Sequence, residues 1–407
     1  MKAFILAAGE GTRMRPLTAN IPKPLLPVAG KPFIVHMIDG LREAGIKEAT
    51  ILIGWRGRRV KEHLKDGKNL GIRIRYEEQE KRLGTAHAIG LAEKHMKQKF
   101  LCMNGDIILP PEPLRDFIEF SRGKGNVVGL TRVEDSRSFG VVDLKGDIIQ
   151  GIEEKPERPK SDLINAGIYV FQREIFEVIS KTKKSPRGEY EITDSLKILM
   201  KKKKVYGFVV PNDWIDVGRP WDLLSANSIL MKSIESKTDG ELEKNVIVEG
   251  EVRIGKGTRV RSGTMIQGPV VIGEDCSIGP NSVIRGSTYI GNGCKVGAGC
   301  EVKNSIIMND THIPHHNYVG DSIIAERCNL GSGTKIANLR LDEGNIRVFI
   351  KGRKIDTGLR KLGTIMGDDV KTGINASIDA GTIIGEGSFV GPGALVGGFI
   401  SSNSRIY

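Results

Sequence analysis

Short apolar runs alternate with amphipathic stretches of helical period along the first half of the chain. The apolar runs predict buried strands at 2–7, 50–53, 100–103, 126–130 and 167–171. The amphipathic stretches between them predict helices, as at 35–44 and 85–96. This alternation is typical of an α/β domain with a doubly wound sheet, in which ligands bind at the carboxyl ends of the strands.

The hydrophobic period changes to six from about residue 245. Valine or isoleucine recurs at every sixth position, usually followed by glycine, and a second run in another phase lies near the C-terminus. No helical period gives this spacing, whereas a parallel β-helix whose short flat faces each take six residues does. We expect all of these side chains to point into the coil: Val248, Ile254, Val260, Ile266, Ile272, Ile278, Ile284, Ile290, Val296, Val302, Ile378, Ile384, Val390 and Val396.

The segment 338–363 breaks this repeat and is rich in charge, which predicts a loop pushed out of one coil. A chain of 407 residues is long enough for two or three domains, each with its own core. The change of period therefore predicts a first domain at 1–230, a linker at 231–244 and a β-helix domain at 245–407.

Composition narrows the class of protein. The five cysteines are odd in number and form no Cys-x-x-Cys pair, so neither a disulfide framework nor a zinc ribbon is indicated. No apolar run is long enough to span a membrane and no signal-peptide arrangement is present, which predicts a soluble, cytoplasmic protein without a membrane partner.

The net charge of +12 raises the question of nucleic-acid binding, and the lysines at 201–204 form the densest basic run. The basic residues are nevertheless spread along the chain without interleaved aromatic residues, and anionic small molecules would use the same field. We interpret the lysine run as a solvated helix end before a strand at 205–210, and we expect no nucleic-acid partner.

A glycine-rich loop follows the first predicted strand and carries the strongest chemical signal. Gly9 and Gly11 let backbone N–H groups approach an anion without a Cβ in the way, while Arg13 and Lys23 supply the fixed charge that a triphosphate needs. Two common phosphate loops do not fit, because Met14 replaces the third glycine of the dinucleotide fingerprint and the Gly-Lys-Ser/Thr of the P-loop is absent here. A plain strand-to-helix turn would leave the two cations unexplained.

The pattern Gly-x-Gly-Thr-Arg-Met-x-Pro, with Lys-Pro seven residues later, resembles the signature of sugar-1-phosphate nucleotidylyltransferases. The resemblance covers residues 1 to about 230 and implies a Rossmann-like nucleotidyltransferase domain. It implies catalytic roles for Arg13 and Lys23. It also implies nucleotide binding by Leu6, Ala8, Gly9, Gly11 and Thr12.

Two aspartates are candidates for a magnesium site. Nucleotidyl transfer depends mainly on positioning and charge neutralisation, and Mg²⁺ favours oxygen ligands while keeping several waters. Two carboxylates can therefore hold Mg²⁺ against the α-phosphate. Asp106, in Met-Asn-Gly-Asp, and Asp216, in Trp-Ile-Asp-Val-Gly, match the metal aspartates of the family. Taken alone, an aspartate after a strand is more often a turn or cap residue.

Gln79 is the candidate for reading the nucleotide base. A glutamine amide offers a donor and an acceptor together, which suits the imide edge of uracil or thymine. The backbone at Gly84 and the start of the following helix at Thr85 would complete this pocket. The residues alone do not distinguish dTTP from UTP.

Three further segments match the sugar-binding segments of the family. The resemblance assigns Glu154 to sugar hydroxyls, Lys155 to the sugar phosphate as a catalytic cation, and Asn165 to the hexose, with Gly140 beside them. Glu153 competes with Glu154 for its role, and the sequence leaves that choice open, as it leaves open which hexose-1-phosphate is used.

The β-helix half resembles the left-handed hexapeptide-repeat fold and contains a second candidate site. Residues 313–321, Ile-Pro-His-His-Asn-Tyr-Val-Gly-Asp, resemble the acetyltransferase motif of bifunctional N-acetylglucosamine-1-phosphate uridylyltransferases. The match makes His315 the general base, because imidazole is suited to take a proton from an amine that attacks acetyl-CoA. It implies substrate contacts by Lys303, Tyr318, Asn329 and Asn338.

This second signal is weaker than the first. The match departs from the usual pattern at His316, Asn317 and Ser332, which puts the identity of the acceptor, glucosamine or galactosamine phosphate, in doubt. A surface histidine pair can also be structural, and a metal site at the pair lacks a carboxylate partner.

We interpret the chain as resembling archaeal-type bifunctional sugar-1-phosphate nucleotidylyltransferase/acetyltransferases, with Mg²⁺ as cofactor and acetyl-CoA as co-substrate. The alternative is a nucleotidylyltransferase whose β-helix serves assembly or regulation. A non-enzymatic scaffold, like the related subunits of a translation-initiation exchange factor, is disfavoured because Arg13, Lys23, Asp106 and Asp216 are all present. Left-handed β-helices usually trimerise, so we expect a homotrimer with acetyl-CoA sites between neighbours.

Overall fold

The first half of the chain folds around a nine-stranded mixed sheet in the computed structural model, which describes residues 1–211 and 214–407. The strands are β1 (Lys2–Ala7), β2 (Pro27–Val28), β3 (Lys31–Pro32), β4 (Glu48–Ile53), β5 (Arg73–Glu78), β6 (Phe100–Asn104), β7 (Ile107–Ile108), β8 (Asn126–Arg132), β9 (Gly140–Lys145), β10 (Ile148–Glu154), β11 (Leu163–Phe171), β12 (Val205–Val209) and β13 (Ile215–Asp216). The helices are α1 (Phe33–Glu43), α2 (Gly57–Leu64), α3 (Thr85–Gly90), α4 (Pro111–Phe120), α5 (Glu174–Ile179), α6 (Ile192–Met200) and α7 (Asp222–Met231).

The strand order is β5-β4-β1-β6-β11-β8-β12-β10-β9. β1 pairs in parallel with β4 and β6, and β4 pairs in parallel with β5, whereas β11 runs antiparallel to its neighbours β6 and β8. The carboxyl ends of β1, β4, β5 and β6 therefore share one edge. β7 and β13 form a separate antiparallel pair, and β2 pairs with β3. The predicted α/β class is confirmed.

Apolar patterning explains these elements. β1 buries Ala3, Phe4 and Ile5 completely, as expected of a parallel strand covered on both faces. α1 buries one stripe and leaves its charged residues on the other side, so that the helix packs on α4. The predicted strands are all present, and the lysines at 201–204 follow α6 just before β12, as expected.

The third helix is shorter than predicted. The pattern predicted a helix at 85–96, but α3 ends at Gly90 and turns follow it. Glycine is unfavourable inside a helix, and Gly90 packs closely here, because a Cβ at this position would lie 3.3 Å from Ile179 Cγ2. Close packing against α5 thus favours glycine where the helical pattern by itself would continue.

Contacts group the chain into two compact units. The first unit consists of Met1–Glu10, Pro22–Leu25 and Phe33–Asp216, and the second consists of Gly11–Ile21, Leu26–Pro32 and Val217–Tyr407. Within the second unit, the early segments bond to much later residues. Asn20 Nδ2 donates to Asp368 Oδ2 over 3.1 Å, and the Ala29 N–H donates to Asn227 Oδ1 over 2.8 Å. The domain limits at 230 and 245 remain a prediction.

The second half forms a parallel β-helix with three faces, each a ladder of short strands in register. The first face contains Lys237–Thr238, Val252–Ile254, Val270–Ile272, Thr288–Ile290, Ile306–Ile307, Ile323–Ile324, Thr364–Met366, Thr382–Ile384 and Phe399–Ile400. The second contains Glu241–Leu242, Arg259–Val260, Ser277–Ile278, Lys295–Val296, His312–Ile313, Lys371–Thr372, Phe389–Val390 and Arg405–Ile406. The third contains Ile247–Glu249, Met265–Gln267, Val283–Arg285, Glu301–Lys303, Tyr318–Gly320, Lys335–Ile336, Ser377–Ile378 and Leu395–Val396.

Thirteen of the fourteen predicted ladder residues lie in the buried interior of the coils. The prediction was wrong for Val248, which is 41% exposed. Its strand Ile247–Glu249 begins the third face and pairs only with Met265–Gln267, so no preceding coil covers it. The first strand of this face is therefore incompletely covered, whereas Val396, in the last strand of the same face, is only 4% exposed.

The predicted extruded loop is confirmed. The chain leaves the coil after Asn338, forms a hairpin of Arg347–Ile350 and Arg353–Asp356, and returns where the Leu362 N–H donates to the Asn338 carbonyl over 3.0 Å. Of the helices in the described part of the chain, none has the length and apolar character needed to span a bilayer.

We expect Ile284→Ala to lower the free energy of unfolding of the β-helix by about 2–5 kcal/mol, because it opens a cavity in the ladder. Val248→Ala is the matched control and should cost less than about 1 kcal/mol, since Val248 is partly exposed. Urea unfolding followed by circular dichroism measures both changes. Equal losses in the two variants would contradict the inward ladder.

Candidate functional site

The glycine-rich loop begins at the carboxyl end of the parallel strand β1. Leu6, near the end of β1, lies close to Gly105, whose N–H donates to the Leu6 carbonyl over 2.9 Å. A Cβ at position 105 would lie 2.6 Å from that carbonyl oxygen, so only glycine allows this approach. Ala8 is buried beneath the loop, and nothing lies within 4 Å of the position a Cβ would take at Gly9. The backbone at Gly9 is thus open to a ligand.

The rest of the loop lies in the segment Gly11–Ile21 of the second unit. Gly11 has a left-handed φ of 65°, and Thr12–Met14 forms a short 3-10 turn after it. Thr18 Oγ1 donates to the Gly11 carbonyl over 2.8 Å, which holds this turn together. Thr12 and Arg13 thus lie three and four residues after Gly9 in the chain, although their segment groups with residues of the other unit.

Lys23 and Asp106 form an ion pair, with 2.8 Å between Nζ and Oδ2. The Lys23 side chain is only 12% exposed, whereas Asp106 is 34% exposed, so the carboxylate keeps access to solvent. The structure therefore places a predicted catalytic lysine against a predicted metal aspartate, at the end of β6 beside β1.

Strand β13 places Asp216 near this ion pair. The antiparallel pairing of β13 with β7 sets Asp216 opposite Ile107, the residue that follows Asp106. The pairing thus places the backbone of Asp216 beside the residue that follows Asp106. Within residues 1–211 and 214–407 no group of three or more acidic, histidine or cysteine side chains could hold a metal alone. Two carboxylates suit Mg²⁺, which takes its remaining ligands from phosphate and water.

Gln79 lies just after β5 at the same edge. Its backbone N–H donates to the Ile53 carbonyl over 2.8 Å, and its Nε2 is 3.2 Å from His87 Nδ1. His87, on α3, was not singled out from the sequence. Its partner is eight residues away across an irregular turn, so no periodic pattern pointed to it.

The backbone at 84–86, which follows Gln79 in the chain, is held by contacts with residues 190–192. Gly84 has φ of 113°, and a Cβ there would lie 2.5 Å from the Tyr190 carbonyl oxygen, which requires glycine. The Ala86 N–H donates to that carbonyl over 2.9 Å, and Thr85 Oγ1 accepts the Ile192 N–H over 3.1 Å. Gly84 and Thr85 are therefore held rigidly at the start of α3.

Gly140, Glu154 and Asn165 converge on one space. A Cβ at Gly140 would lie 3.3 Å from Glu154 Oε2 and 3.6 Å from Asn165 Cβ. Asn165 is fixed by Tyr169, whose hydroxyl accepts its Nδ2 over 2.8 Å. Glu153 is exposed on the other side of β10, where it lines a separate cavity of about 420 Å³. The alternation along the strand thus turns Glu154 toward the cluster.

Lys155 has a left-handed φ of 45°, which is uncommon for a residue with a Cβ, and its Nζ is 3.7 Å from Glu154 Oε1. The structure adds Arg187, whose Nη1 is 3.3 Å from Glu154 Oε1 and 3.5 Å from Glu191 Oε1. Burial raises the pKa of Glu191, and the Glu154 carboxylate raises it further. Arg187 lies in a glycine turn distant in sequence, and only the fold brings it to Glu154.

The second candidate site lies on the third face of the β-helix. Asn338 Nδ2 donates to the Tyr318 hydroxyl over 3.3 Å and also to Asp321 Oδ2. Lys303 Nζ is 3.5 Å from the same carboxylate oxygen. Asn329 lies instead on the second face, in register with His312 and Lys371. Three of the four predicted substrate contacts are therefore brought together, and Asn329 is on a different face.

His315 and His316 are exposed at the corner between the second and third faces. They form a bend in which His316 has φ of 49°, so they do not alternate as residues of a strand do. His316 packs over the preceding coil, because a Cβ at Gly299 would lie 2.6 Å from its Nδ1, and its carbonyl accepts Lys335 Nζ. The His315 carbonyl accepts the Gly333 N–H over 2.9 Å. The two histidines thus have different surroundings.

Two family models match the chain. The model described as nucleotidyl transferase matches residues 2–233, and the model of the GMPPB C-terminal domain matches residues 266–386. The two matches divide the chain near the point where the hydrophobic period changes.

Proteins similar over the whole length come from archaea. The bifunctional protein GlmU of Methanocaldococcus jannaschii is 42% identical over 409 residues, which cover 100% of this chain and 97% of that protein. The bifunctional sugar-1-phosphate nucleotidylyltransferase/acetyltransferase of Sulfurisphaera tokodaii is 39% identical over 398 residues, which cover 97% of each chain.

Solved structures match the first half. A Bacillus anthracis protein assigned as a glucose-1-phosphate thymidylyltransferase, in complex with sucrose, has a TM-score of 0.53 and 34% identity, and covers 58% of this chain and 98% of its own. A UDP-glucose pyrophosphorylase complexed with UDP-glucose has a TM-score of 0.52 and 26% identity, and covers 57% and 99%.

We expect Gln79→Ala to weaken binding of dTTP and UTP by about 1–3 kcal/mol, because the base edge loses its donor and acceptor. Titration calorimetry measures the affinity. Gln98→Ala is the control, since Gln98 is exposed near the opposite, amino end of β6. Unchanged affinity in the Gln79 variant would show that this side chain does not read the base.

Proposed function

Because the chain belongs to the nucleotidyl transferase family, and within it to the bifunctional sugar-1-phosphate nucleotidylyltransferase/acetyltransferases, we propose that it makes a nucleotide sugar from dTTP or UTP and a hexose-1-phosphate. In the same proposal its β-helix uses acetyl-CoA to N-acetylate glucosamine-1-phosphate or galactosamine-1-phosphate. The nucleotidyl acceptor is glucose-1-phosphate or N-acetylglucosamine-1-phosphate.

The observation that carries the first activity is the Lys23–Asp106 ion pair beside Asp216. A phosphate oxygen of the sugar-1-phosphate attacks the α-phosphorus in line, the bond to the β-phosphate oxygen breaks, and pyrophosphate leaves. Lys23 and Arg13 neutralise charge on the phosphates, and the open backbone at Gly9 donates N–H groups to them. Asp106 and Asp216 would hold a magnesium ion, which would supply further charge neutralisation at the α-phosphate.

The sugar side of the reaction is assigned to the cluster around Gly140. Glu154 and Asn165 can bind sugar hydroxyls, because they lie close together beside Gly140 and carry carboxylate and amide groups that form hydrogen bonds with hydroxyls. Lys155 lies next to Glu154 and can bind the sugar phosphate that attacks. Gln79, with Gly84 and Thr85, supplies the base pocket on the other side of the loop. These roles follow the positions of the side chains at one sheet edge.

The second activity is assigned to the corner that contains His315. The amine of the amino sugar attacks the carbonyl carbon of the acetyl thioester, His315 takes a proton from the nitrogen, the carbon–sulfur bond breaks, and CoA leaves as the thiol. Tyr318, Lys303 and Asn338 form a polar cluster for the sugar phosphate on the adjacent face. Asn329, on the second face, would contact acetyl-CoA or substrate from another side.

We also propose a homotrimer with acetyl-CoA sites between neighbours. The outward row of the third face includes Ile247 and Leu395, which are 53% and 77% exposed, and Tyr318 belongs to the same row. The row begins with the apolar residues Ile247, Met265 and Val283, and these support packing of this end of the face against another copy of the chain. The site would then lie at the edge of that packing.

We expect Asp106→Asn and Asp216→Asn each to reduce Mg²⁺-dependent pyrophosphate release by at least about 10²-fold, because one ligand charge is lost. Release of CoA thiol should be unchanged. Asp116→Asn, at an exposed position on α4, is the matched control. A coupled pyrophosphate assay with dTTP, UTP and several sugar phosphates measures the rate, and wild-type rates in both variants would refute the assignment.

We expect His315→Ala to lower the rate of acetyl transfer by about 10²- to 10⁴-fold, the usual contribution of a positioned general base. His316→Ala should retain most of the rate, because His316 packs over the preceding coil. Thiol release from acetyl-CoA with each amino-sugar phosphate measures the reaction. If the wild-type protein releases no thiol with any of them, the β-helix is an assembly domain. Equal losses in both variants would refute His315 as the base.

A further inference from the structure

We propose that Asp321 is a positioning residue for acetyl transfer, and that its carboxylate holds the Asn338 amide so that Tyr318 presents its hydroxyl hydrogen to the substrate. The inference rests on the acetyltransferase function proposed above. It assigns a role to the last residue of the motif at 313–321.

The backbone of Asp321 is held between two coils. Its N–H donates to the Lys303 carbonyl over 3.0 Å, and its carbonyl accepts the Gly363 N–H over 2.8 Å. Gly363 lies where the chain re-enters the coil after the extruded loop. Asp321 itself has a left-handed φ of 51° at the corner between the third and first faces. These two backbone hydrogen bonds therefore hold Asp321 in place without the help of its side chain.

The carboxylate is buried and receives N–H donors. Asp321 is 5% exposed, and its Oδ1 accepts Asn304 Nδ2 over 2.7 Å. Its Oδ2 accepts Asn338 Nδ2 and is 3.5 Å from Lys303 Nζ. An ionised carboxylate can only accept hydrogen bonds, and a buried one requires partners of this kind. Asp321 thus connects residues from the coils on both sides of it.

The contact with Asp321 determines which way the Asn338 amide faces. Both N–H groups of the amide are used, one toward Asp321 and one toward the Tyr318 hydroxyl oxygen. Because that oxygen accepts a hydrogen bond from Asn338, the O–H hydrogen of Tyr318 is directed elsewhere. If the amide turned over, its carbonyl oxygen would take the Tyr318 hydrogen instead, and the hydroxyl would no longer be a donor to a ligand.

Glycine at position 320 makes room for this hydroxyl beside Asn338. A Cβ at Gly320 would lie 2.7 Å from the Tyr318 oxygen and 2.8 Å from Asn338 Nδ2. Lys303 lies in register with Gly320 on the preceding coil, so an ammonium group stands beside the same space. A hydroxyl donor and a cation on neighbouring coils suit an anionic oxygen, which in this proposal belongs to the phosphate of the amino-sugar substrate.

Asp321→Asn tests this role, because it removes the negative charge and replaces one of the two acceptor oxygens with an N–H donor, while keeping the size and a residue type suited to the corner. Asparagine already occupies left-handed positions in other corners, at Asn304, Asn375 and Asn403, so the coil should tolerate it. We expect acetyl transfer to fall by about 10- to 100-fold, mainly through a higher KM for the amino-sugar phosphate. Pyrophosphate release should not change. Asp310→Asn, at an exposed left-handed corner of the same coil, should leave acetyl transfer unchanged.

A double-mutant cycle with Tyr318→Phe separates positioning from a merely structural role. If Asp321 acts through Asn338 on the Tyr318 hydroxyl, adding Asp321→Asn to Tyr318→Phe should lower acetyl transfer little further. If the two losses multiply while the wild-type protein is active, this proposal is overturned and the acetyltransferase function stands. If the wild-type protein shows no acetyl transfer with any amino-sugar phosphate, the proposed function fails and this role fails with it.

Discussion

The chemistry of the first half depends on one close approach between two strands, that of Gly105 to the Leu6 carbonyl. A side chain at position 105 would collide with that oxygen at 2.6 Å, so the ends of β1 and β6 can meet only because glycine stands there. This approach brings Asp106 next to the loop that begins at Gly9. Lys23 then pairs with the carboxylate. The open backbone at Gly9, the lysine and the carboxylate, to which we assign anion binding, catalysis and metal binding, therefore form one arrangement, built around a contact in which no side chain takes part.

The interior of the β-helix is narrow, and the polar groups of every coil need hydrogen-bond partners inside it. Thr258, Cys276, Cys294, Thr311 and Cys328 stand in one row, and each donates to a backbone carbonyl of the chain that follows it in the coil. Hydroxyl and thiol groups are thus used alike as small donors. The candidate acetyl-transfer site occurs where this regularity is interrupted: the register between neighbouring coils falls from 18 to 17 residues at Tyr289 and Ile306, and the extruded loop follows soon afterwards.

Sequence periodicity was sufficient to predict the elements and the interior of the β-helix, because both follow from local spacing and burial. It failed for the end of α3, where packing of Gly90 against Ile179 matters, and for Val248, which lacks a coil on one side. Motifs located Asp106, Gln79 and Tyr318. They could not locate His87 or Arg187, and the motif that contains Asp321 gave this residue no role, because the contacts of all three join segments that are remote or irregular in the chain. Choosing between Glu153 and Glu154 required knowing which side chains of β10 face the cluster. Recognising the bend at His316 required knowing that its backbone is left-handed.

The grouping of Gly11–Ile21 with the β-helix has a consequence for the order in which the protein is made. Asn20 bonds to Asp368, a partner 348 residues further along, and a Cβ at Gly367 would lie 3.0 Å from Pro16. Synthesis proceeds from the N-terminus, so the segment that carries Thr12 and Arg13 leaves the ribosome long before the residues against which it packs. The segment Gly11–Ile21 can reach its final form only when residues 367 and 368 of the β-helix exist. A chain released early would therefore contain all the residues of the first site and still lack part of what holds them in place.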